Sequence, residues 1–158
     1  IDGTIVVWQQ LVEGDFDKMQ GRWLVEAVLP GDVEAAGAAD ADGAVATCNS
    51  THFFIVRDGE VWTSDGLYCL GGITRANVLR LCRDNAIPAR EKRFSLVDVY
   101  SADEAFVTGT FAGLTAVREV DGRVIGEIPE DGERAGPVTR RLNQLYKDLA
   151  RRESVRPA

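Results

Sequence analysis

The chain reads FFIVRDGEVWT from Phe53 to Thr63, and this stretch decides the fold. Two runs of β-branched and aromatic residues, Phe53–Arg57 and Val61–Thr63, meet at the pair Asp58-Gly59. An Asp-Gly pair suits a two-residue type I′ turn, because both of its positions require a positive φ. The stretch therefore predicts a β-hairpin near the middle of the chain.

A helix is predicted shortly after this hairpin. Apolar residues recur at helical spacing between Val78 and Cys82, which predicts a helix over Thr74–Asn85 with Thr74 as a plausible N-cap. A second pair, Asp121-Gly122, predicts another hairpin. The remaining predicted elements are strands over Glu91–Ser95 and Glu104–Thr108, a short helix over Leu96–Ala102, and a last helix that begins at Gly136-Pro137. Strands dominate, with two or three helices packed outside, which predicts an α+β domain.

The first 43 residues carry weaker patterns. Thr4–Val12 fits either a strand or an apolar helix, and Trp23–Ala39 favours a helix weakly, interrupted by Pro30-Gly31. We therefore divide the chain into a divergent segment at residues 1–43, a domain at residues 44–150 and a polar tail at residues 151–158. Because the chain begins at Ile1 and not at a methionine, we treat it as partial.

Composition narrows the classes of function. With 158 residues the chain is expected to form one domain, and its formal net charge of −7 argues against sequence-independent nucleic-acid binding. The three cysteines form no C-x-x-C pair, which favours reduced thiols in a cytoplasmic protein. No apolar run approaches the roughly 18 residues of a membrane helix.

Two short segments have the composition of an anion site. Gly71–Arg75 reads GGITR at the start of the predicted helix, and Thr108–Phe111 reads TGTF after the predicted buried strand. Small residues and hydroxyl groups allow backbone N–H groups to surround an anion, and a helix N-terminus attracts one. Each segment alone also has a simpler interpretation, since Thr74 can be an ordinary N-cap and Gly109-Thr110 a tight turn. Together they favour a ligand site for a phosphate held from two sides.

These segments are parts of a longer resemblance. The chain resembles the pyridoxal-phosphate enzymes of fold type IV, the class IV aminotransferases, which include branched-chain and D-amino-acid aminotransferases and aminodeoxychorismate lyase. The resemblance runs roughly from Ala44 to Leu149 and rests on four stretches in order: VATCNSTHFF at Val45–Phe54 with its hairpin, Leu70–Arg75, Ala102–Val120 with the second hairpin, and Gly136–Thr139.

The resemblance implies a fold, a cofactor and a set of residues. The fold is the C-terminal domain of fold type IV, a pseudo-barrel of strands with flanking helices, and the cofactor is pyridoxal 5′-phosphate. The family's phosphate ligands fall on Ile73, Thr74, Gly109 and Thr110. The turn at Thr110-Phe111 is expected to present amides to the substrate's carboxylate. Relatives are dimers, so a homodimer is expected.

Three features depart from the family pattern. The family's cofactor-binding lysine falls before the Val45 motif, where Lys18 is the one candidate, in a segment unlike the family's. Thr47 occupies the position of the glutamate that pairs with the cofactor's ring nitrogen, and its hydroxyl supplies no negative charge. Glu26 and Glu34 stay open as substitutes for that glutamate. Residues 1–43 do not resemble the family's smaller N-terminal domain.

The leading hypothesis is an aminotransferase that moves an amino group between an amino acid, of branched-chain type, and a 2-oxo acid. Two alternatives stay open: a truncated or degenerate domain of this fold that acts in binding or assembly, and a lyase on the same scaffold, such as aminodeoxychorismate lyase. No nucleic acid, membrane or metal ion is expected as a partner.

Overall fold

The structure of the chain is a computed structural model. It describes residues 6–15, 20–28, 44–45, 51–66, 69, 71–109, 113–127 and 135–154. The elements in chain order are β1 (Val6–Asp15), β2 (Gln20–Val28), β3 (His52–Arg57), β4 (Glu60–Thr63), α1 (Ile73–Asp84), β5 (Ala89–Glu91), α2 (Leu96–Tyr100), β6 (Glu104–Gly109), β7 (Gly113–Val117), β8 (Glu119–Val120), β9 (Arg123–Val124) and α3 (Pro137–Ser154).

A five-stranded sheet in the order β5-β4-β3-β6-β7 forms the centre of the fold. Its neighbours pair antiparallel except β4 and β5, which are parallel. The predicted hairpin joins β3 to β4, with a positive φ at both Asp58 (51°) and Gly59 (74°). The second predicted hairpin joins β8 to β9 through Asp121 and Gly122, whose φ values are 52° and 72°. Both hairpin predictions are confirmed, because each Asp-Gly pair adopts the positive φ that the turn requires.

The sheet separates two apolar clusters. Side chains alternate along β3, so Phe54 belongs to the cluster beneath α1 and α3 while Phe53 belongs to the cluster beside α2. Phe54 stacks on Phe106 of β6, with ring centroids 4.8 Å apart, and both rings are fully buried. This arrangement of a mixed sheet with helices on its faces confirms the predicted α+β class.

The predicted N-cap of α1 is wrong. The helix begins at Ile73, its N-cap is Gly72 and no side chain caps it, so Thr74 lies inside the first turn. Gly72 occupies the extended conformation with φ −74° and ψ 138°, which is the backbone that an N-cap needs. The Thr74 side chain is buried and faces α3 instead of its own helix end.

Two further predictions shift in position. The strand expected over Glu91–Ser95 is Ala89–Glu91, because β5 ends where its pairing with β4 ends. Beyond it Phe94 enters the core, and Ser95 starts α2 through a capping box with Asp98. The Ser95 amide and hydroxyl both donate to this carboxylate, and the amide hydrogen bond is the larger cause that lowers the pKa of Asp98.

The N-terminal segment contains strands. Of the two alternatives for Thr4–Val12, a strand or an apolar helix, the structure shows a strand, because β1 covers Val6–Asp15. The weak helix predicted over Trp23–Ala39 is wrong for its first part, because β2 covers Gln20–Val28 and pairs with β1 in an antiparallel hairpin. Cross-strand pairing with β1 along the length of β2, with one register shift between Leu11 and Glu13, outweighs the weak local helix preference of this segment.

A carboxylate from the sheet caps the last helix. Pro137 opens α3, as predicted, and the side chain of Glu104 accepts hydrogen bonds from the amides of Val138 (2.9 Å) and Thr139 (2.8 Å). Leu142 and Leu145 then face the core. In the part of the chain that the structure describes, neither α3 nor any other helix is long and apolar enough to cross a membrane.

Two cysteines differ in their surroundings, which gives a first testable prediction. Cys82 lies on the buried face of α1, and burial raises the pKa of its thiol to about 11, whereas Cys69 is half-buried. We expect iodoacetamide to label Cys69 at pH 8 in the native protein and to label Cys82 only after unfolding. Peptide mapping by mass spectrometry measures both sites. Equal labelling of the two thiols in native protein would contradict the burial of Cys82.

Candidate functional site

Three elements meet at one end of the central sheet. His52 begins β3 and pairs with Thr108 near the end of β6, so both side chains project to the same face of the sheet. The imidazole of His52 lies directly against Gly72, because a Cβ placed on Gly72 would be 2.2 Å from its Cε1 atom. The N-terminus of α1 therefore lies over the ends of β3 and β6.

This N-terminus has the properties of an anion site. The first amides of a helix have no partner within the helix, and here the first turn carries no acidic residue and no side-chain cap. The Ile73 side chain is 81% exposed, so the first turn borders open space. Negative charge brought to this end would meet unsatisfied N–H groups and the positive end of the helix dipole.

A buried hydroxyl lies beneath the same end. Thr108 is 1% exposed, and its Oγ1 atom has no hydrogen-bond partner among the described residues. Buried polar groups in native proteins are rarely left unpaired, so an orphaned hydroxyl next to a helix N-terminus indicates a ligand oxygen or an ordered water molecule. The alternation of β6 places Thr108 on the face of Phe106, toward α1.

The end of β6 lies beside the start of β7. Gly109 pairs with Gly113 of β7, and residues 110–112 between them lie outside the described residues. A Cβ on Gly109 would lie 3.7 Å from the Thr51 methyl group, so Gly109 is beside the start of β3. Gly113 has a φ of 67°, a backbone that favours glycine.

Side chains on either side hold the start of α1. The guanidinium of Arg75 donates to the carbonyl oxygen of Ser64 at 2.8 Å and pairs with the carboxylate of Glu91. From the other side, the Tyr146 hydroxyl of α3 lies 3.5 Å from Thr74 Oγ1. The first turn is thereby tied to the loop after β4, to β5 and to α3.

The structure brings together the predicted phosphate residues that it describes. Ile73 and Thr74 on α1 lie at the same end of the sheet as Gly109 on β6, linked through the contacts of His52 and Tyr146. The other predicted site residues lie outside the described residues: Lys18, Thr47, Thr110 and Phe111.

The described lysines lie elsewhere. The Lys92 ammonium sits 3.6 Å from the ring centroid of Trp62, which packs against the cluster on the sheet face opposite α1. Lys147 is exposed on α3. Neither is in contact with the first turn of α1 in any described interaction, so the sequence-based preference for Lys18 over both stays a prediction.

Two residues of this end, His52 and Tyr146, were not predicted as part of the site. Thr108 was predicted only as a member of the Thr108–Phe111 segment, without a role of its own. Strand alternation could have placed Thr108 beside Phe106 on one face, but only the fold shows that α1 covers that face. The contact of Tyr146 joins residues 72 positions apart, which no local pattern reports.

These groups fit the phosphate of a cofactor. The helix end is open and uncapped, a hydroxyl beneath it is orphaned, and Gly72 leaves no room for a side chain between His52 and the backbone. A metal site finds no support, because the described residues contain no group of three or more His, Cys, Asp or Glu side chains that could hold an ion.

Comparison with known proteins identifies the class. Residues 33–120 match the sequence model of the amino-transferase class IV family. A branched-chain-amino-acid aminotransferase of Pseudomonas aeruginosa is 41% identical over 125 residues, which cover 79% of this chain and 39% of that protein. A D-alanine aminotransferase of Listeria monocytogenes is 36% identical over 104 residues, covering 65% of this chain and 34% of that protein.

A solved structure agrees with these relatives. A branched-chain amino acid aminotransferase from T.th. with pyridoxamine 5′-phosphate superposes with a TM-score of 0.61 at 37% identity, covering 68% of this chain and 33% of that one. The chain thus spans less than half the length of these relatives, and its described domain has the fold of type IV aminotransferases. From the family match and this shared fold, the chain belongs to the class IV aminotransferase family.

Proposed function

We propose that this chain is part of a pyridoxal 5′-phosphate-dependent aminotransferase. It moves an amino group between an amino acid, of branched-chain type, and a 2-oxo acid. The single observation that carries the proposal is the open, uncapped end of α1, which lies over the face of the sheet that holds the orphaned Thr108 hydroxyl, in a chain of this family. The relative solved with pyridoxamine 5′-phosphate supports the choice of cofactor.

The proposed roles divide between binding and chemistry. Ile73 and Thr74 hold the phosphate from α1, and Gly109 and Thr110 hold it from the turn after β6. The Phe111 and Thr110 amides bind the substrate's carboxylate. The α1 end supports this assignment because its first turn has no side-chain cap and contains no acidic residue of its own.

The roles proposed for Lys18 and Thr47, like those for Thr110 and Phe111, belong to residues outside the described ranges. Lys18 binds the cofactor's aldehyde and moves the proton, and Thr47 faces the ring nitrogen. When bound, the cofactor supplies the electron sink for the reaction. A hydroxyl at Thr47 can hydrogen-bond a neutral ring nitrogen but cannot hold a proton on it as a carboxylate does. We therefore expect a weaker electron sink than in enzymes with glutamate at that position.

The proposal extends to assembly and place. The working protein is a homodimer in the cytoplasm, with an amino acid and a 2-oxo acid as its small-molecule partners. Residues 44–150 form its aminotransferase domain, after a divergent segment at residues 1–43 and before a polar tail at residues 151–158. The resemblance to dimeric aminotransferases supports this organisation.

A second candidate is a domain of this fold without catalysis, acting in binding or assembly. The position of the Lys92 ammonium over Trp62 and the exposure of Lys147 favour it. They leave Lys18, in a segment unlike the family's, as the one remaining lysine that could bind the cofactor. A lyase such as aminodeoxychorismate lyase uses the same scaffold and cofactor. Product analysis separates the lyase from the aminotransferase, because only the latter needs a 2-oxo acid acceptor.

The test of the proposed function is a spectroscopic titration of the 158-residue chain with pyridoxal 5′-phosphate. We expect a new absorbance band near the visible edge. Borohydride should then fix the cofactor to a lysine, and peptide mapping should place it on Lys18. Lys18→Ala should abolish the band and transamination, while Lys92→Ala and Lys147→Ala should keep both.

The outcomes separate the candidates. A chain that gives no band and traps no lysine is not this enzyme, and the non-catalytic domain then stands. Trapping on Lys92 or Lys147, or undiminished transamination by Lys18→Ala, would remove Lys18 from the site while leaving cofactor binding intact.

A further inference from the structure

One side chain of the last helix contacts both Thr74 of α1 and the glycine that pairs with Gly109. The hydroxyl of Tyr146 lies 3.5 Å from Thr74 Oγ1 in the first turn of α1. The ring of the same tyrosine lies against Gly113, where a Cβ would be 3.2 Å from its Cδ1 atom and 3.3 Å from its Cε1 atom. Gly113 pairs with Gly109 across the connection between β6 and β7. Tyr146 therefore touches α1 and the closing pair of the glycine connection at once.

Gly113 is matched to this contact. Its φ of 67° and the closeness of the ring both disfavour a side chain at this position. With glycine there, the ring of Tyr146 packs directly on the backbone of β7. The last helix is thus in contact with the Gly109–Gly113 pair through Gly113.

The number of hydrogens that each hydroxyl can donate decides which group is the donor in the contact between Tyr146 and Thr74. A threonine hydroxyl has one hydrogen to donate and two lone pairs, and the phosphate oxygens of the cofactor at neutral pH mostly accept. If Thr74 donates its hydrogen to phosphate, it has none left for Tyr146. Tyr146 must then donate to Thr74 Oγ1, and a donated hydrogen bond makes the Thr74 hydroxyl a better donor in its turn.

We propose that Tyr146 is a positioning residue for the phosphate site. Its phenol donates to Thr74 Oγ1 and so directs the Thr74 hydrogen to the phosphate, while its ring packs on Gly113, the cross-strand partner of Gly109. The distance of 3.5 Å is that of a weak hydrogen bond, and it shortens when phosphate is bound. This inference rests on the proposed function, because it concerns the phosphate of the same cofactor.

Tyr146→Phe removes the hydroxyl and keeps the ring. We expect the Kd of the 158-residue chain for pyridoxal 5′-phosphate and for inorganic phosphate to rise about threefold to tenfold, the effect of one hydrogen bond. The Kd for pyridoxal, which carries no phosphate, should not change. Tyr100→Phe is the matched control, since it removes a phenol that donates to Asp121, in the hairpin between β8 and β9. It should leave all three dissociation constants unchanged.

A double-mutant cycle isolates the path through Thr74. In a Thr74→Val background, which keeps the shape and removes the hydroxyl, Tyr146→Phe should have no further effect on phosphate affinity. Three results would overturn the inference: wild-type affinity in Tyr146→Phe, an equal loss for pyridoxal, or an undiminished effect in the Thr74→Val background. If the wild-type chain binds neither pyridoxal 5′-phosphate nor phosphate, the proposed function fails as well. Binding that Tyr146→Phe leaves unchanged refutes the positioning role alone.

Discussion

Gly72→Ala should raise the Kd for pyridoxal 5′-phosphate by about tenfold or more, equivalent to about 1.4 kcal/mol. It should also lower the free energy of unfolding by about 1–3 kcal/mol, the usual cost of overpacking. The added methyl group would lie 2.2 Å from the Cε1 atom of His52 and 2.8 Å from its Nδ1 atom. Either the imidazole or the start of α1 must move, and the amides that we propose bind the phosphate would move with the helix.

The cause of this effect is contact, not backbone strain. Gly72 has φ −74° and ψ 138°, which any residue adopts without penalty, so the main cost of alanine comes from what it touches. Alanine is also a weaker N-cap than glycine, but by a smaller amount. The prediction can therefore be assigned to His52 and tested at that residue.

Isothermal titration gives the affinity and chemical denaturation gives the stability. Gly71→Ala is the control for stability, because a Cβ at that position meets nothing within 4 Å and should leave the free energy of unfolding unchanged. His52→Ala opens the space, so Gly72→Ala should cost much less in that background than in the wild type. Equal losses in the two backgrounds would show that the imidazole does not hold α1 in place.

Local chemistry made a large part of this fold predictable. Asp58-Gly59 and Asp121-Gly122 specify their turns by the φ that each position needs, and both hairpins form. The apolar residues at helical spacing between Val78 and Cys82 likewise predicted α1, and Pro137 predicted the start of α3. Errors arose where distant partners decide: β5 ends where β4 stops pairing, and β2 is a strand because β1 pairs with it.

The site was predictable to the extent that its chemistry is written in short segments. The GGITR segment predicted a helix N-terminus suited to an anion, and Ile73 and Thr74 lie in the first turn of α1. The neighbouring groups that complete it come from other elements: His52 from β3, Thr108 from β6 and Tyr146 from α3. Their placement follows from the pairing of β3 with β6 and the packing of α3, which sequence spacing does not encode.

Glu104, at the opposite end of the sheet, also acts on an element that is distant in sequence. Its removal is the second substitution for which we expect a large effect. A buried carboxylate from β6 accepts from two amides of α3, in a helix whose own N-terminus begins with Gly136 and Pro137. The sequence shows only that no Ser, Thr, Asp or Asn immediately precedes this helix, and the capping side chain lies 34 residues away from Val138. A capping side chain at position 136 would not fit beside Glu104, since a Cβ on Gly136 would lie 2.2 Å from the carboxyl carbon of Glu104.

Glu104→Ala should lower the free energy of unfolding by about 3 kcal/mol, because two hydrogen bonds to a carboxylate are lost and the Thr139 amide is left buried without a partner. The melting temperature should fall by about 6–12 °C for a chain of this size. Glu153→Ala is the matched control, since its exposed pair with Arg80 (3.2 Å) should be worth less than about 1 kcal/mol. Differential scanning calorimetry measures both.

Phosphate affinity gives the same variant a second readout. Tyr146 lies about two and a half turns along α3 from the capped end, so the folded fraction of Glu104→Ala should keep most of its affinity for phosphate. The cap and the phosphate contact would then act as separate attachments of one helix, at opposite ends of the sheet. A melting temperature equal to that of Glu153→Ala would show that Glu104 does not anchor α3. A large loss of affinity at unchanged stability would instead place Glu104 in the binding site, against the geometry described above.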